Sequence, residues 1–236
     1  MSKHAGAAHA LVELRGVEKV YPGGTKVAAV RGVDLTVERG EFSALAGPSG
    51  SGKSTLLNLI GTLDRPTKGD ILHDGRLVTK LDAEQLSDFR LGALGFVFQA
   101  YNLIPVLTAA ENVEYPLVLR GVGTEERRAA ALEALKWVGL EGYSDRRPDL
   151  LSGGQQQRVA VARAIVHRPA LVLADEPTAN LDSKTGAALL DLMEKLNADH
   201  GITFLFSSHD PAVLSRARRV VHLLDGALHG EDRRPR

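Results

Sequence analysis

The sequence predicts an α/β fold: a parallel-sheet core, an antiparallel β region on its N-terminal side and a mainly helical insertion. Three observations lead there. Four short, nearly continuous apolar runs, "FSALAG" (42–47), "GFVF" (95–98), "LVLADEP" (171–177) and "TFLFSSH" (203–209), are followed by helical patterns, as strands buried on both faces are. From Leu11 to Val37 the apolar residues instead alternate, so that Val33, Leu35 and Val37 share a face. Between Gln99 and Ser152 the texture turns helical.

The bulk numbers fit a globular chain. Of 236 residues, 44% are apolar and 25% charged, and the formal net charge is zero. A neutral chain gives no global basic field, so no nucleic-acid partner is expected. There is no cysteine. That excludes a disulfide, a thiol nucleophile and a thiolate metal site. The first ten residues, "MSKHAGAAHA", have no apolar signal-peptide stretch and read as a loose arm. No run reaches the roughly 18–20 apolar residues of a spanning helix, so any membrane spans are expected from another chain.

Taken in order, the alternating region reads as antiparallel strands joined at "YPGG" and "ERGE". The run at 42–47 then meets "GPSGSGKS", which fits G-x-x-x-x-G-K-[ST] at every fixed position and leads into the helical "STLLNLIGTL". In such a loop, Gly47 through Gly52, the backbone N–H groups wrap phosphates (Pro48, without an N–H, shapes the turn), with small residues Ser49, Gly50 and Ser51 allowing close approach. Lys53 would reach the β- and γ-phosphates, Ser54 would ligate Mg²⁺ and Thr55 would touch the α-phosphate. In the insertion, "TEERRAAALEALKWVGL" reads as a helix with Thr124 as N-cap and a stripe of Ala131, Leu132, Leu135 and Val138. "LVLADEP" places Asp175 at the end of an apolar strand as a second Mg²⁺ anchor. Glu176 beside it is placed to orient or deprotonate an attacking water. An acidic pair ahead of Pro177 would also start a helix.

One further segment resembles a phosphate site. In "LLSGGQQQRVAVARAIV" a serine and two glycines head a helix, an arrangement that offers free N–H groups to an anion. By itself this segment reads first as a turn that caps a helix.

Read together, the segments resemble the ABC ATPases. "GPSGSGKST" is similar to their Walker A loop, "LVLADE" to Walker B and "LSGGQ" (151–155) to the ABC signature. Gln99 resembles the Q-loop, "ANLD" (179–182) the D-loop, and His209 in "SSHD" the switch histidine. Tyr21 falls where an adenine-stacking aromatic stands. The resemblance covers about residues 11 to 228, in the family's order. It implies a P-loop NTPase (RecA-like) core at 11–98 and 159–228, an antiparallel β subdomain, an inserted helical subdomain at about 99–158, and a polar C-terminal tail at 229–236.

The resemblance also implies a head-to-tail dimer. Ser152, Gly153, Gly154 and Gln155 of one copy would meet the γ-phosphate of an ATP held by the other copy's Lys53, with Asp182 crossing nearby. Gln99 would sense Mg²⁺ and water, and His209 would contact the γ-phosphate. A separate integral-membrane permease would receive the stroke in a groove near Tyr101, Leu103 and Ile104, which would put the chain on the cytoplasmic face of a bacterial membrane. The stretches "GFVFQAYNLIPVLTAAENVEYPL" and "LADEPTANLD" are similar to the lipoprotein-release and macrolide-export branch. Import ATPases, the cell-division ATPase and soluble mechanical ATPases remain alternatives.

Overall fold

The computed structural model describes residues 10–22 and 27–234. The loose arm expected at 1–10 lies outside them apart from Ala10, which opens strand β1, and the glycines of "YPGG" lie outside as well. Strands β1 (Ala10–Tyr21) and β2 (Val27–Glu38) pair antiparallel, as expected. The "ERGE" turn leads elsewhere. It carries the chain into β3 (Phe42–Ala46) of a second sheet, where the neighbours of β3 are parallel.

Helix α1 (Lys53–Ile60) follows, then the hairpin β4 (Lys68–His73) and β5 (Arg76–Leu77), helix α2 (Ala83–Ala93) and β6 (Leu94–Val97). The insertion consists of α3 (Ala109–Leu119), α4 (Thr124–Trp137) and two short 3-10 turns. The remainder is α5 (Gly153–Ile165), β7 (Leu171–Asp175), α6 (Ser183–His200), β8 (Thr203–Ser207), α7 (Pro211–Arg216), β9 (Arg219–Leu224) and β10 (Ala227–Arg233). One sheet has the order β2-β1-β4-β5 and the other β10-β9-β3-β8-β7-β6. The four apolar runs are β3, β6, β7 and β8, which are joined in parallel ladders. No described helix is long and apolar enough to cross a membrane.

Side-chain alternation explains why those runs are apolar throughout. On one face Phe42, Ala44, Phe204 and Phe206 pack with α5 and α6 residues such as Val161 and Leu190. On the other, Leu45, Leu173 and Leu205 pack against α1 and the antiparallel sheet through Leu56, Ile60, Leu14 and Leu35. The parallel strands are thus a buried middle layer.

Three expectations need correction. The residues at 229–236 are not simply a tail, because β10 runs to Arg233 and pairs with β9, placing Glu231 opposite Val221. The boundary at 158/159 falls inside α5, which is one uninterrupted helix. Thr124 is the first residue of α4 rather than its cap; Gly123 is the cap, and Leu132 is 41% exposed while Ala134 takes its place in the buried stripe.

Candidate functional site

The parallel strands β3, β6, β7 and β8 deliver their predicted site residues at one edge of the sheet, the carboxyl edge where open α/β sheets bind ligands, whereas Tyr21 stands at the end of β1 in the antiparallel sheet. After β3 comes the 47–52 loop. Gly47 has φ +154, and a Cβ there would lie 2.2 Å from the Leu223 carbonyl oxygen, so only glycine fits. Helix α1 opens at Gly52 with no side-chain cap, which leaves its first N–H groups for an anion. The Lys53 side chain is buried and folds back over the loop, its Nζ donating to the carbonyls of Gly47 (2.8 Å) and Pro48 (3.0 Å).

At the end of β7, Asp175 accepts a hydrogen bond from Ser54 Oγ at 3.0 Å, which joins two of the three residues predicted to hold Mg²⁺, the third being Gln99. Glu176 takes the left-handed conformation, φ 44, and its N–H donates to the Ser207 carbonyl at the end of β8. That turn aims the carboxylate along the sheet edge. Oε2 accepts from Ser208 Oγ (2.9 Å) and Oε1 from His209 Nδ1 (2.7 Å). The Glu176 side chain is 16% exposed and the His209 side chain 70%. Ser208 is fully buried and was missed by sequence reasoning, although it stands inside "SSHD".

Gln99 sits just beyond β6 and bonds to Asn180 rather than to Ser54 or Asp175. Its Nε2 donates to Asn180 Oδ1 (3.4 Å), and Asn180 Nδ2 donates to the Gln99 carbonyl (2.9 Å). Asp182 caps α6, accepting from the N–H groups of Lys184 and Thr185 and from Thr185 Oγ1 at 2.6 Å. The Thr185 hydroxyl bond is the main reason its carboxyl is held below the usual range. Tyr21 is 38% exposed; its hydroxyl donates to Asp64 Oδ2 (2.9 Å), while Lys19 lies 4.8 Å from its ring centre. Burial, then Asp64, raises the phenol pKa, and the Thr55 hydroxyl is a further neighbour.

The second glycine-rich segment is a capping box. Ser152 Oγ accepts from the Gln155 N–H (3.3 Å) and Gln155 Oε1 from the Ser152 N–H (2.9 Å). A Cβ on Gly154 would lie 2.4 Å from Thr185 Cγ2, so the head of α5 presses on α6. No hydrogen bond among the described residues joins 152–155 to the 47–55 loop.

The family described as ABC transporter matches residues 30–179. An uncharacterised ABC transporter ATP-binding protein of Methanocaldococcus jannaschii is 46% identical over 228 residues, covering 94% of this chain and 97% of that protein. This chain belongs to the ABC transporter family. It is an ATPase cassette of that family, with the P-loop α/β fold expected. The macrolide export ATP-binding/permease protein MacB 1/2 of Paracoccus denitrificans is 47% identical over 224 residues, which are 94% of this chain and 33% of that protein. Among solved structures, a dimeric structure of the M. jannaschii cassette MJ0796 superposes with a TM-score of 0.87 at 45% identity, covering 95% of this chain and 100% of that one. A second dimeric structure of the same cassette, in a post-hydrolysis state bound to ADP and Pi, has the same score, identity and coverage.

Beside the ATPase edge lies a groove of about 480 Å³ between α2, β6, α3 and α5. Its walls include Leu91, Phe96, Ile104, Tyr115 and Leu119. Of the three residues predicted to line a partner groove, Tyr101, Leu103 and Ile104, only Ile104 lines this groove. Leu103 packs against the buried core. The Tyr101 hydroxyl turns toward the Asn180 carbonyl, 3.5 Å away. The backbone explains this: Tyr101 and Asn102 are both left-handed (φ 59 and 50), a double reversal pinned by Arg163 of α5 through both carbonyls (2.8 and 2.6 Å).

Proposed function

We propose that this cassette binds ATP–Mg²⁺ in the 47–55 loop and hydrolyses it in a head-to-tail pair of copies that drives a membrane subunit of the export or mechanotransmission type. The observation that carries the first part is the Ser54–Asp175 contact. It places two hard oxygen ligands 3.0 Å apart at the mouth of a phosphate loop, the donor set a Mg²⁺ ion takes alongside phosphate oxygens. When bound, the ion neutralises charge on the phosphates.

The chain's own groups do the rest. Lys53 exchanges its two carbonyl partners for phosphate oxygens. Glu176 accepts a proton from water as the water oxygen bonds to the γ-phosphorus and the β–γ bridging bond breaks. Ser208 and His209 fix the orientation of that carboxylate. His209, the more exposed of the pair, reaches the γ-phosphate, and Gln99 reaches the metal and water on release from Asn180. Tyr21 offers its ring to the adenine.

The absence of any hydrogen bond between 152–155 and the phosphate loop supports the pair. A signature that serves no ATP of its own copy is placed to serve a partner's, with Ser152, Gly153, Gly154 and Gln155 at the positive end of α5 and Asp182 alongside. The fused ATP-binding/permease relatives support a membrane subunit, bound at the groove around Ile104, Tyr115 and Leu119 on the cytoplasmic face of the membrane.

The deciding experiment is a pull-down of the Glu176→Gln protein from gently solubilised membranes with ATP present. A partner with few spans and a large extracytoplasmic domain is expected. A many-span permease with a solute-binding protein would move the chain to the importers. A soluble ATP dimer without any membrane partner would end the transport reading.

A further inference from the structure

The groove beside β6 carries charge of one sign. Arg90, Arg163 and His167 line it together with its apolar walls, and no lining residue among those described is acidic. Both arginines spend their hydrogen bonds on carbonyls. Arg90 donates to Thr62 (2.9 Å), and Arg163 to Asn102 and Tyr101. Arg163 therefore keeps three of its five N–H donors. Burial, with no carboxylate to offset it, pulls its pKa below the usual arginine value. Behind the same wall, His167 Nε2 donates to the Leu94 carbonyl and Nδ1 is buried with no partner. A largely desolvated cation gains most from an ionic partner that excludes water with it.

We infer that the groove takes a cytoplasmic segment of the membrane subunit in which apolar side chains flank one carboxylate, and that this carboxylate pairs with Arg163. The inference rests on the reading that the groove receives the membrane subunit, and it adds the chemistry by which that segment is chosen. The apolar side chains fill the space between Phe96, Ile104 and Leu119, whose contacts are blind to sequence detail. The charge pair sets register and rejects segments with a basic residue at that place. Since the same guanidinium pins the 101–102 reversal, the pair would form on the residue that holds the turn following Gln99.

Two labelled, end-capped peptides test this by fluorescence anisotropy on the whole chain: a short leucine–alanine–serine helix former with one central glutamate, and its glutamine twin. The glutamate peptide is expected to bind about tenfold tighter. Arg163→Gln should erase that difference, and Arg90→Gln, which leaves the 101–102 turn pinned, should narrow it. Unchanged binding of the glutamine peptide shows that the groove is intact in each variant. Leu119→Asp, at the exposed rim, should weaken both peptides.

Equal affinities that remain sensitive to Leu119→Asp would overturn the carboxylate anchor and leave the docking groove standing. No binding, or binding indifferent to Leu119→Asp, would overturn the groove itself. Binding of the chain to phosphatidylglycerol vesicles that is lost in Arg163→Gln would assign the arginine to lipid phosphate instead.

Discussion

His209 Nδ1 and Glu176 Oε1 lie 2.7 Å apart, across the ends of two neighbouring parallel strands. A carboxylate only accepts, so the imidazole donates from Nδ1, and the bond fixes the orientation of both groups. Replacing Glu176 by Gln keeps the shape and removes the base. ATP turnover is expected to fall by about 10²–10⁴-fold, while ATP holds the protein as a dimer on size-exclusion chromatography. A variant that stays monomeric at saturating ATP would contradict the clamp.

His209→Ala and Ser208→Ala act on the same carboxylate from its two oxygens. Each is expected to lower kcat more than ATP affinity, because orientation rather than binding is lost. Their combined effect should be less than the product of the two, since both serve one group. Steady-state kinetics with a double-mutant cycle would show this; fully independent effects would mean that the two donors do different jobs.

The Ser54–Asp175 contact predicts a metal phenotype. Asp175→Asn should raise the Mg²⁺ concentration needed for half-maximal turnover, while nucleotide binding without Mg²⁺ changes little. Titration of ATPase rate against Mg²⁺ checks it, and an unchanged midpoint would remove Asp175 from the metal site.

His73 gives a pH dependence of stability. It is 4% exposed, with Nε2 2.9 Å from the Ile60 carbonyl and its ring against Phe89. Burial is the main reason its pKa drops from 6.5 to about 4. The unfolded chain therefore takes up a proton near pH 6.5 that the folded chain refuses until about 4. Stability from this residue is full above that window and is lost as pH falls through it, by roughly 3 kcal/mol at the bottom. Urea midpoints of wild type and His73→Gln between pH 7 and 4.5 should converge as pH falls. Parallel curves would count against a histidine kept neutral in the fold.

Asn112 is fully buried on α3 and holds the 104–108 loop. Its Oδ1 accepts from the Ile104 N–H, and its Nδ2 donates to the carbonyls of Ile104, Leu107 and Thr108. Asn112→Ala should cost about 1–3 kcal/mol of stability, read from denaturant unfolding, and should loosen the groove wall that Ile104 forms.

The candidate site was largely legible in the sequence as a set of segments, because phosphate chemistry needs particular residue types at fixed spacings, and the four short apolar runs fit buried strands that bring those segments to one edge. The fold around it was less legible. The β4–β5 hairpin has a signal, Asp74-Gly75 with φ 47 and 75, but only Ile71, His73 and their neighbours turn inward, so the apolar pattern is faint. Helix α2 buries only Leu86 of its own residues and is marked chiefly by its Asp82–Gln85 capping box. β10 looked like a tail because its strand is mostly exposed and charged, and it is held to β9 by a backbone ladder and by pairs such as Arg219–Glu231 and His222–Asp232 that no apolar pattern announces. The path of Tyr101 away from the groove depends on a backbone reversal pinned by a residue some sixty positions later, a long-range bond that no local pattern encodes.

Helix α5 begins at the signature and ends at the groove. Its 13 residues make a rod of about 20 Å, with Gly154 wedged against α6 at one end and Arg163 under the groove at the other. Such a rod allows the two ends little independence: tilting one moves the other. Thermodynamic reciprocity then sets a rule for the assembled machine. By whatever factor ATP-driven pairing tightens the grip on the membrane segment, that segment, once seated, must favour pairing by the same factor.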